Sequence, residues 1–272
     1  MASPNDYKRF IEENLQIVDK TGSRIDFKLN AIQDKYLLND CSGRDIILKF
    51  RQPGLSSLIT GIFTTDFILR QNSYSVIVAD IDDNAEGLLS KVKIYIESYE
   101  EKNKMKVPLK YNSKSELYNP FMNTTFKIGT AKNTEFGRSR TITNLHLSEV
   151  AFFPNIKNLI AGAGQAVVED GRLIMETTAN GFNDLKRYYE DGKNQSNGFK
   201  SLFYRASDFY SKEFLEKKRV ELKEKYPQEY PENDIEAFIT SGNCYFDKNA
   251  LQVYLRESSD YRVINDEQSE TV

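Results

Sequence analysis

A strand-to-helix turn at residues 49–57 combines the residue types that bind phosphate groups. The turn has the sequence KFRQPGLSS. Gly54 allows the backbone to approach a ligand closely, and Ser56 and Ser57 open the following helix with hydroxyl groups that can hold Mg²⁺. These features together predict a loop that binds the phosphates of a nucleotide.

The cation that such a loop needs has no usual source here. Leu55 stands where phosphate-binding loops generally carry a lysine. Lys49 and Arg51 precede the turn and could reach the phosphates from its other side. The alternative interpretation is a capped turn with two incidental basic residues, because short motifs often match by chance.

An acidic residue follows a second apolar strand, in the segment TITNLHLSEVAFF. A nucleotide hydrolase needs a carboxylate at such a strand end, to polarise water or to hold Mg²⁺. Glu149 has this position, and Ser148 replaces the more common aspartate, so Ser148 could hold Mg²⁺ through water. A lone glutamate at a strand end is usually a surface residue. The apolar residues on both sides make an idle carboxylate costly and favour a catalytic one.

A third motif is the small-residue turn Thr177–Gly181, which ends the apolar strand RLIMET. At the carboxyl edge of a sheet, such a turn can sense the γ-phosphate of a nucleotide and transmit its loss. Taken alone, the segment could equally be no more than a turn.

Alternating apolar strands and amphipathic helices predict an α/β fold with a mostly parallel sheet between helices. The predicted strands are Asp45–Phe50, Ser75–Ala79, Ser115–Tyr118, Thr125–Ala131, Thr141–Leu147 and Arg172–Thr177. Ile59, Phe63 and Phe67, four residues apart, mark one helix, and further helices are predicted at about 84–99 and at Asn158–Val168. Parallel strands end at one edge of a sheet, so the three motifs should meet there.

The same pattern divides the chain into a core at residues 1–200, a lid at 201–260 and a polar tail at 261–272. The lid is predicted from a charged helix at Lys212–Lys225, two prolines and a short second helix. The tail is polar and acidic, and we expect it to be frayed.

Composition excludes several classes of protein. The 272 residues include 37 Lys+Arg against 40 Asp+Glu, for a net charge of −3, so a general basic coat for nucleic acid is absent. Cys41, Cys244 and His146 are too few and too scattered for a zinc cluster, and one histidine argues against a His-dependent hydrolase. His146 is expected to be buried. Neither a signal peptide nor a membrane span is expected.

The order of the three motifs resembles that in the ATPase domain of the large terminase subunit, the DNA-packaging motor of tailed bacteriophages. The family's phosphate-loop pattern, K-x-R-Q-x-G-x-S-[ST], is matched by Lys49, Arg51, Gln52, Gly54, Ser56 and Ser57. Its acidic pattern, H-x-S-E-x-A, is matched by His146, Ser148, Glu149 and Ala151. Its coupling turn, of T-x-N type, is matched by Thr178, Ala179 and Asn180.

Two flanking segments extend the resemblance to about Phe10–Asp247. FKLNAIQ resembles the family's adenine-reading motif and indicates Gln33, and the stretch Gln228–Phe246 resembles a downstream family signature. The resemblance implies a P-loop NTPase core of the ASCE type with a small helical lid.

The resemblance also implies roles for individual residues. Arg51 would stabilise transition-state charge in cis, Lys49 would replace the missing lysine, and Glu149 would activate the attacking water. Mg²⁺ would be bound by Ser56 and, through water, by Ser148. The implied ATP-binding residues are Gln33, Lys49, Arg51, Gln52, Pro53, Gly54, Leu55, Ser56 and Ser57, and the implied coupling residues are Thr178, Ala179 and Asn180.

The segment FGRSR precedes the acidic strand, at the place where the family often presents an arginine to the neighbouring subunit's nucleotide. Arg138 is the preferred candidate over Arg140. The alternative for Arg138 is an ordinary solvated cation in a loop.

The implied function is Mg²⁺-dependent ATP hydrolysis that moves viral double-stranded DNA into a procapsid. The implied partners are DNA, copies of the same chain in a ring, the portal protein and the small terminase subunit. The implied location is the cytoplasm of the infected bacterial host, at the procapsid portal. Only 25 residues follow Asp247, so no C-terminal nuclease domain is expected in this chain. The alternatives are a helicase-like nucleic-acid translocase and a nucleotide-binding module without turnover.

Overall fold

The computed structural model describes residues 2–132, 140–241 and 253–254. The helices in these ranges are α1 (Pro4–Asn14), α2 (Ala31–Lys35), α3 (Leu55–Leu69), α4 (Asp82–Asn103), α5 (Ile156–Leu159), α6 (Asp184–Lys193), α7 (Lys212–Leu222), α8 (Tyr226–Glu229) and α9 (Asp234–Ser241). The strands are β1 (Gln16–Val18), β2 (Arg24–Asp26), β3 (Arg44–Lys49), β4 (Tyr74–Ala79), β5 (Tyr111–Asn112), β6 (Glu116–Asn119), β7 (Thr124–Thr130), β8 (Ile142–Ser148), β9 (Val167–Thr177) and β10 (Lys200–Tyr204).

The central sheet has eight strands in the order β10-β3-β9-β8-β4-β7-β6-β5. The pairs from β10 to β7 are parallel, and β7, β6 and β5 pair antiparallel. The predicted α/β fold with a mostly parallel sheet is confirmed. Strand β9 lies between β3, which leads into the phosphate loop, and β8, which leads to Glu149, so all three motifs end at one edge of the sheet.

Both faces of the sheet are covered, because alternate residues of its strands point to opposite sides. In β3, Ile47 packs into the core that includes α1, α3 and α4. Its neighbours Ile46 and Leu48 pack into the core that includes α5, α6 and α9. A strand that is buried on both faces has a continuous run of apolar residues in its sequence. This run is why the sequence alone indicates β3.

Helix α3 follows the phosphate loop and lies inside the protein. Ile59, Phe63 and Phe67 are fully buried, as their spacing predicts. Burial extends nearly round the helix, because its other sides contact α1 and α4. This packing fixes the start of α3 relative to the sheet.

The helix predicted at Asn158–Val168 is present but ends at Gly164, earlier than expected. The helix in this region is the short α5, followed by a π-helical turn at Ile160–Gly164, and β9 already begins at Val167. Gly162 and Gly164 weaken a regular helix. The pairing of Val167 with Ile142 takes the following residues into the sheet.

The segment predicted as the lid, residues 201–260, includes most of β10. This strand pairs with β3 and so belongs to the central sheet. The charged helix predicted at Lys212–Lys225 is α7, with a short 3₁₀ turn at Lys223–Lys225. The predicted tail at 261–272 lies outside the described residues. Within the described ranges, no helix is both long and apolar enough to cross a membrane.

Candidate functional site

The phosphate loop lies between the end of β3 and the start of α3. Gly54 directly precedes α3 and has a φ of 84°, a left-handed conformation that favours glycine. No described side chain caps this end of the helix. The first backbone N–H groups of α3 are therefore available to an anion, and the helix dipole adds partial positive charge.

The loop forms one wall of a cavity of about 580 Å³ at the carboxyl edge of the sheet. The predicted residues that line the cavity are Lys49, Arg51, Gln52, Pro53, Gly54, Ser56, Ser57, Ser148, Glu149 and Thr178. The lining residues that sequence reasoning missed are Asp80, Asp83, Asn84, Gly87, Leu88, Lys91, Phe152 and Glu229. Most of them come from α4 and α8, whose approach to the loop no local pattern indicates. Gln33, Leu55, Ala179 and Asn180 do not line the cavity.

Gln33 lies behind the loop and supports it. Its Nε2 donates to the Gly54 carbonyl at 2.8 Å, and its Oε1 accepts from the Asn30 amide at 2.9 Å. Asn30 Nδ2 donates to the Pro53 carbonyl at 3.0 Å. A β-carbon at Gly54 would lie 2.7 Å from Gln33 Nε2, so the close packing also requires glycine. Both ends of the Gln33 amide are engaged, and its adenine contact stays a prediction.

Lys49 lies beneath the cavity and bridges two carboxylates. Its Nζ is 3.0 Å from Glu149 Oε1 and 3.0 Å from Glu176 Oε2, and the residue is 3% exposed. Burial opposes the charge on Lys49, but Glu176 and Glu149 outweigh burial and hold its pKa above the usual value. Lys49 is therefore a permanent cation at the end of β3.

Glu149 follows β8 and reaches the cavity. Its φ of 57° is rare for a residue with a side chain, and such backbone strain is characteristic of functional sites. The Thr178 amide donates to Glu149 Oε2 at 3.3 Å. Burial, assisted by the charge of Glu176, raises the pKa of Glu149 against the opposing effect of Lys49. A raised pKa makes this carboxylate a stronger proton acceptor.

Glu176 is a further residue that sequence reasoning missed, and it contacts Lys49, Ser56 and Ser148. It is fully buried, and its Oε1 accepts hydrogen bonds from Ser56 Oγ at 2.8 Å and Ser148 Oγ at 2.7 Å. Burial acts to raise the pKa of Glu176, but Lys49 and the hydrogen-bonding neighbours hold it below the usual value. A signal was present, because Glu176 is an acidic residue within the apolar strand RLIMET.

His146 is fully buried in β8, as the sequence predicts. Its Nε2 lies 3.3 Å from Glu176 Oε1, without hydrogen-bond geometry, and its ring meets Phe63 edge-on at 6.2 Å between ring centres. His146 does not line the cavity, so its position is that of a packing residue below the carboxylate.

Arg51 connects the loop to the C-terminal helices. Its Nη1 lies 3.2 Å from Glu229 Oε2, and its backbone amide donates to the Glu229 carbonyl at 2.9 Å. The Arg51 side chain is 60% exposed at the mouth of the cavity. Its cis role on the transition state stays a prediction.

The small-residue turn contacts the residues after β8 and also helix α8. Besides the Thr178 bond to Glu149, Asn180 Nδ2 donates to the Ala151 carbonyl at 3.2 Å. From α8, Gln228 Nε2 donates to the Ala179 carbonyl at 3.4 Å. The turn thus lies between the acidic residue and the C-terminal helices, and its coupling role stays a prediction.

The two candidate arginines for a trans contact are not at the cavity. Arg138 lies outside the described residues. Arg140 is exposed just before β8, with its guanidinium 5.5 Å from the ring centre of Tyr74. Glu149 follows the other end of β8, so Arg140 is a strand length away from it.

Comparison with known proteins matches no protein-family model and no curated protein sequence. Solved structures do match. The large terminase ATPase domain of Thermus phage P74-26 aligns with a TM-score of 0.57 and 18% identity, over 75% of this chain and 93% of that one. The chain has the fold of large terminase ATPase domains.

Two large terminases also match. That of bacteriophage HK97 aligns with a TM-score of 0.62 and 15% identity, over 95% of this chain and 54% of that one. That of the thermophilic bacteriophage D6E, solved in complex with ADP, aligns with a TM-score of 0.56 and 14% identity, over 74% of this chain and 52% of that one. This chain therefore spans about half the length of these two terminases.

Proposed function

We propose that this chain binds and hydrolyses ATP with Mg²⁺, as the motor ATPase that packages viral double-stranded DNA. One observation carries the proposal. Lys49, Glu149 and a glycine-capped helix start meet in a single cavity at the carboxyl edge of the sheet. Anion-binding amides, a buried cation and an activated carboxylate are the groups that phosphoryl transfer to water requires.

The residues present fit a magnesium ion. Mg²⁺ prefers oxygen ligands, and the Ser56 and Ser148 hydroxyls converge on the Glu176 carboxylate within 2.8 Å. We propose that Ser56 binds the ion directly and that Ser148 contacts it through water. When bound, Mg²⁺ would offset the negative charge of the phosphates.

The chain's own groups divide the remaining work. The amides at the start of α3 bind and orient the phosphates, and Lys49 supplies a fixed positive charge below them. Glu149 accepts the proton of the attacking water, as its strained position and raised pKa support. Arg51 releases Glu229, contacts the phosphates and stabilises the negative charge of the transition state.

Changing Glu149→Gln tests the reaction, because glutamine keeps the size of the side chain but accepts no proton. We expect ATP turnover to fall by at least 100-fold while ATP affinity stays within about threefold. Phosphate release and calorimetric titration measure the two quantities. Glu169→Gln is the control, since Glu169 is exposed on β9 away from the cavity.

Normal turnover in Glu149→Gln would contradict the assignment of the base. If the wild-type chain binds ATP but shows no turnover at any protein concentration, the nucleotide-binding module is favoured. Strand separation without a capsid partner would favour the helicase-like translocase.

We propose that the motor acts as a ring around DNA, with the portal protein and the small terminase subunit as partners, in the host cytoplasm at the procapsid portal. The likeness of fold to large terminases supports this role. ATPase rate against protein concentration, with and without DNA and the small subunit, tests it. A rate per chain that does not depend on concentration or partners would contradict the ring.

A further inference from the structure

Three cations line the cavity, and two of them already have carboxylate partners. Lys49 is paired with Glu149 and Glu176, and Arg51 is paired with Glu229. The third is Lys91, which makes no ion pair with any described residue. Its Nζ donates instead to Ser57 Oγ at 3.0 Å. Lys91 is therefore the cation of this cavity that lacks an ion-pair partner within the described part of the chain.

Helix α4 holds Lys91 in a fixed position beside the phosphate loop. Gly87, Lys91 and Tyr95 are four residues apart and share one face of the helix. The Tyr95 hydroxyl donates to the Ser57 carbonyl at 3.1 Å, and Tyr95 is buried. This contact joins α4 to the first turn of α3, one helical turn beyond Lys91.

An unpaired ammonium in this position is costly. Burial lowers the pKa of Lys91, Glu176 opposes the shift, and the charge of Lys49 adds to it. A polyanion in the cavity would supply the missing partner charge. Leu55, at the position of the usual lysine, is fully buried, so the start of α3 carries no cation at that position.

We propose that Lys91 is a phosphate-binding residue of this site, whose ammonium contacts the polyphosphate of the bound nucleotide in addition to the charge that Lys49 supplies. The inference rests on the proposed function, because it takes ATP as the ligand. The proposal gives α4 a direct role in nucleotide binding, although no sequence motif includes residues of this helix.

Lys91→Met tests the proposal, since methionine keeps much of the apolar stem and removes the charge. Lys93→Met is the matched control, because Lys93 lies on the same helix, outside the cavity lining, with its Nζ bonded to the Ser113 carbonyl. Calorimetric titration of ATP, ADP and AMP gives Kd for each. We expect Lys91→Met to weaken ATP binding at least tenfold and AMP binding less than threefold. We expect Lys91→Arg to recover part of the loss and Lys93→Met to match the wild type.

A second measurement uses the wild-type chain and therefore does not require that the Lys91→Met variant folds. An amine-acylating reagent applied to the wild-type chain, followed by mass spectrometry, reports the accessibility of each lysine. We expect saturating ATP to reduce acylation of Lys91 at least fivefold and to leave Lys93 unchanged.

The outcomes separate the inference from the proposed function. Equal ATP affinity in Lys91→Met and Lys93→Met, or unchanged acylation of Lys91 with ATP bound, would overturn the role of Lys91 alone. Failure of the wild-type chain to bind ATP would overturn the proposed function.

Discussion

Single residues in the site depend on one another through Glu176. This buried carboxylate compensates the charge of Lys49 from β3 and accepts hydrogen bonds from Ser148 on β8 and Ser56 on α3. A buried charge is tolerated only with such partners. Because Ser148 replaces the usual aspartate, the nearest carboxylate to the two hydroxyls comes from the neighbouring strand, where Glu176 pairs in register with Ser148.

Changing Glu176→Gln removes that charge and turns one hydrogen-bond acceptor into a donor. We expect the Mg²⁺-dependent part of ATP affinity to fall at least tenfold, because the Ser56 hydroxyl loses its charged acceptor. ATP titrations with Mg²⁺ and with EDTA measure this part, and Glu169→Gln again serves as the control. An equal effect of Mg²⁺ on the variant and the wild type would show that Glu176 has no part in holding the hydroxyls for the ion.

At the scale of elements, a second polar network fixes α3 at the edge of the sheet opposite the cavity. Asp66, near the end of α3, accepts hydrogen bonds from Arg172 on β9 at 2.8 Å and from Asn144 on β8 at 2.9 Å. Tyr7 on α1 also donates to Asp66. All four residues are buried, so the network orients α3 on the strands that carry Glu149 and Glu176.

Changing Asp66→Asn leaves the Arg172 guanidinium buried without a carboxylate. We expect the free energy of unfolding to fall by about 3–5 kcal/mol, the cost of breaking a buried ion pair. Urea denaturation measures the change. Asp170→Asn is the control, because Asp170 is exposed and forms a surface ion pair with Arg70 at 3.6 Å. We expect this change to lower the free energy of unfolding by less than about 1 kcal/mol. A similar loss in both variants would mean that the buried network adds no more than a surface pair.

At the scale of the whole molecule, the proposed phosphate loop and the small-residue turn at Thr177–Gly181 both contact α8. Arg51 from the loop pairs with Glu229, and the Ala179 carbonyl of the turn accepts from Gln228. A change in the bound nucleotide would therefore reach the C-terminal helices by two routes.

The predicted trans arginine is tested at the same scale. We expect Arg138→Ala and Glu149→Gln each to lose ATP turnover by at least tenfold when assembled alone, because each lacks one half of a shared site. Mixed rings should regain turnover, since a Glu149→Gln neighbour supplies the arginine that an Arg138→Ala chain needs. Phosphate release by the mixture measures the recovery. Arg140→Ala is the control, and full activity of Arg138→Ala alone would exclude the trans contact.

The sequence by itself determined the local parts of the site. The apolar strand before Lys49, the glycine before α3, the two serines and the acidic end of β8 are each recognisable within about ten residues. The parallel α/β fold follows from the alternation of such segments. The same local reading extended a helix through Asn158–Val168, because it could not detect the sheet pairing of Val167.

Only the tertiary structure decided which polar and charged groups of the site contact one another. Lys49 and Glu149 are 100 positions apart, and Ser56 and Glu176 are 120 apart. Their contacts depend on the insertion of β9 between β3 and β8, which is a property of strand order. Lys91 reaches the loop for a similar reason, because α4 packs against α3. Long-range order of this kind comes from the packing of whole elements, and residue types and short spacings do not encode it locally.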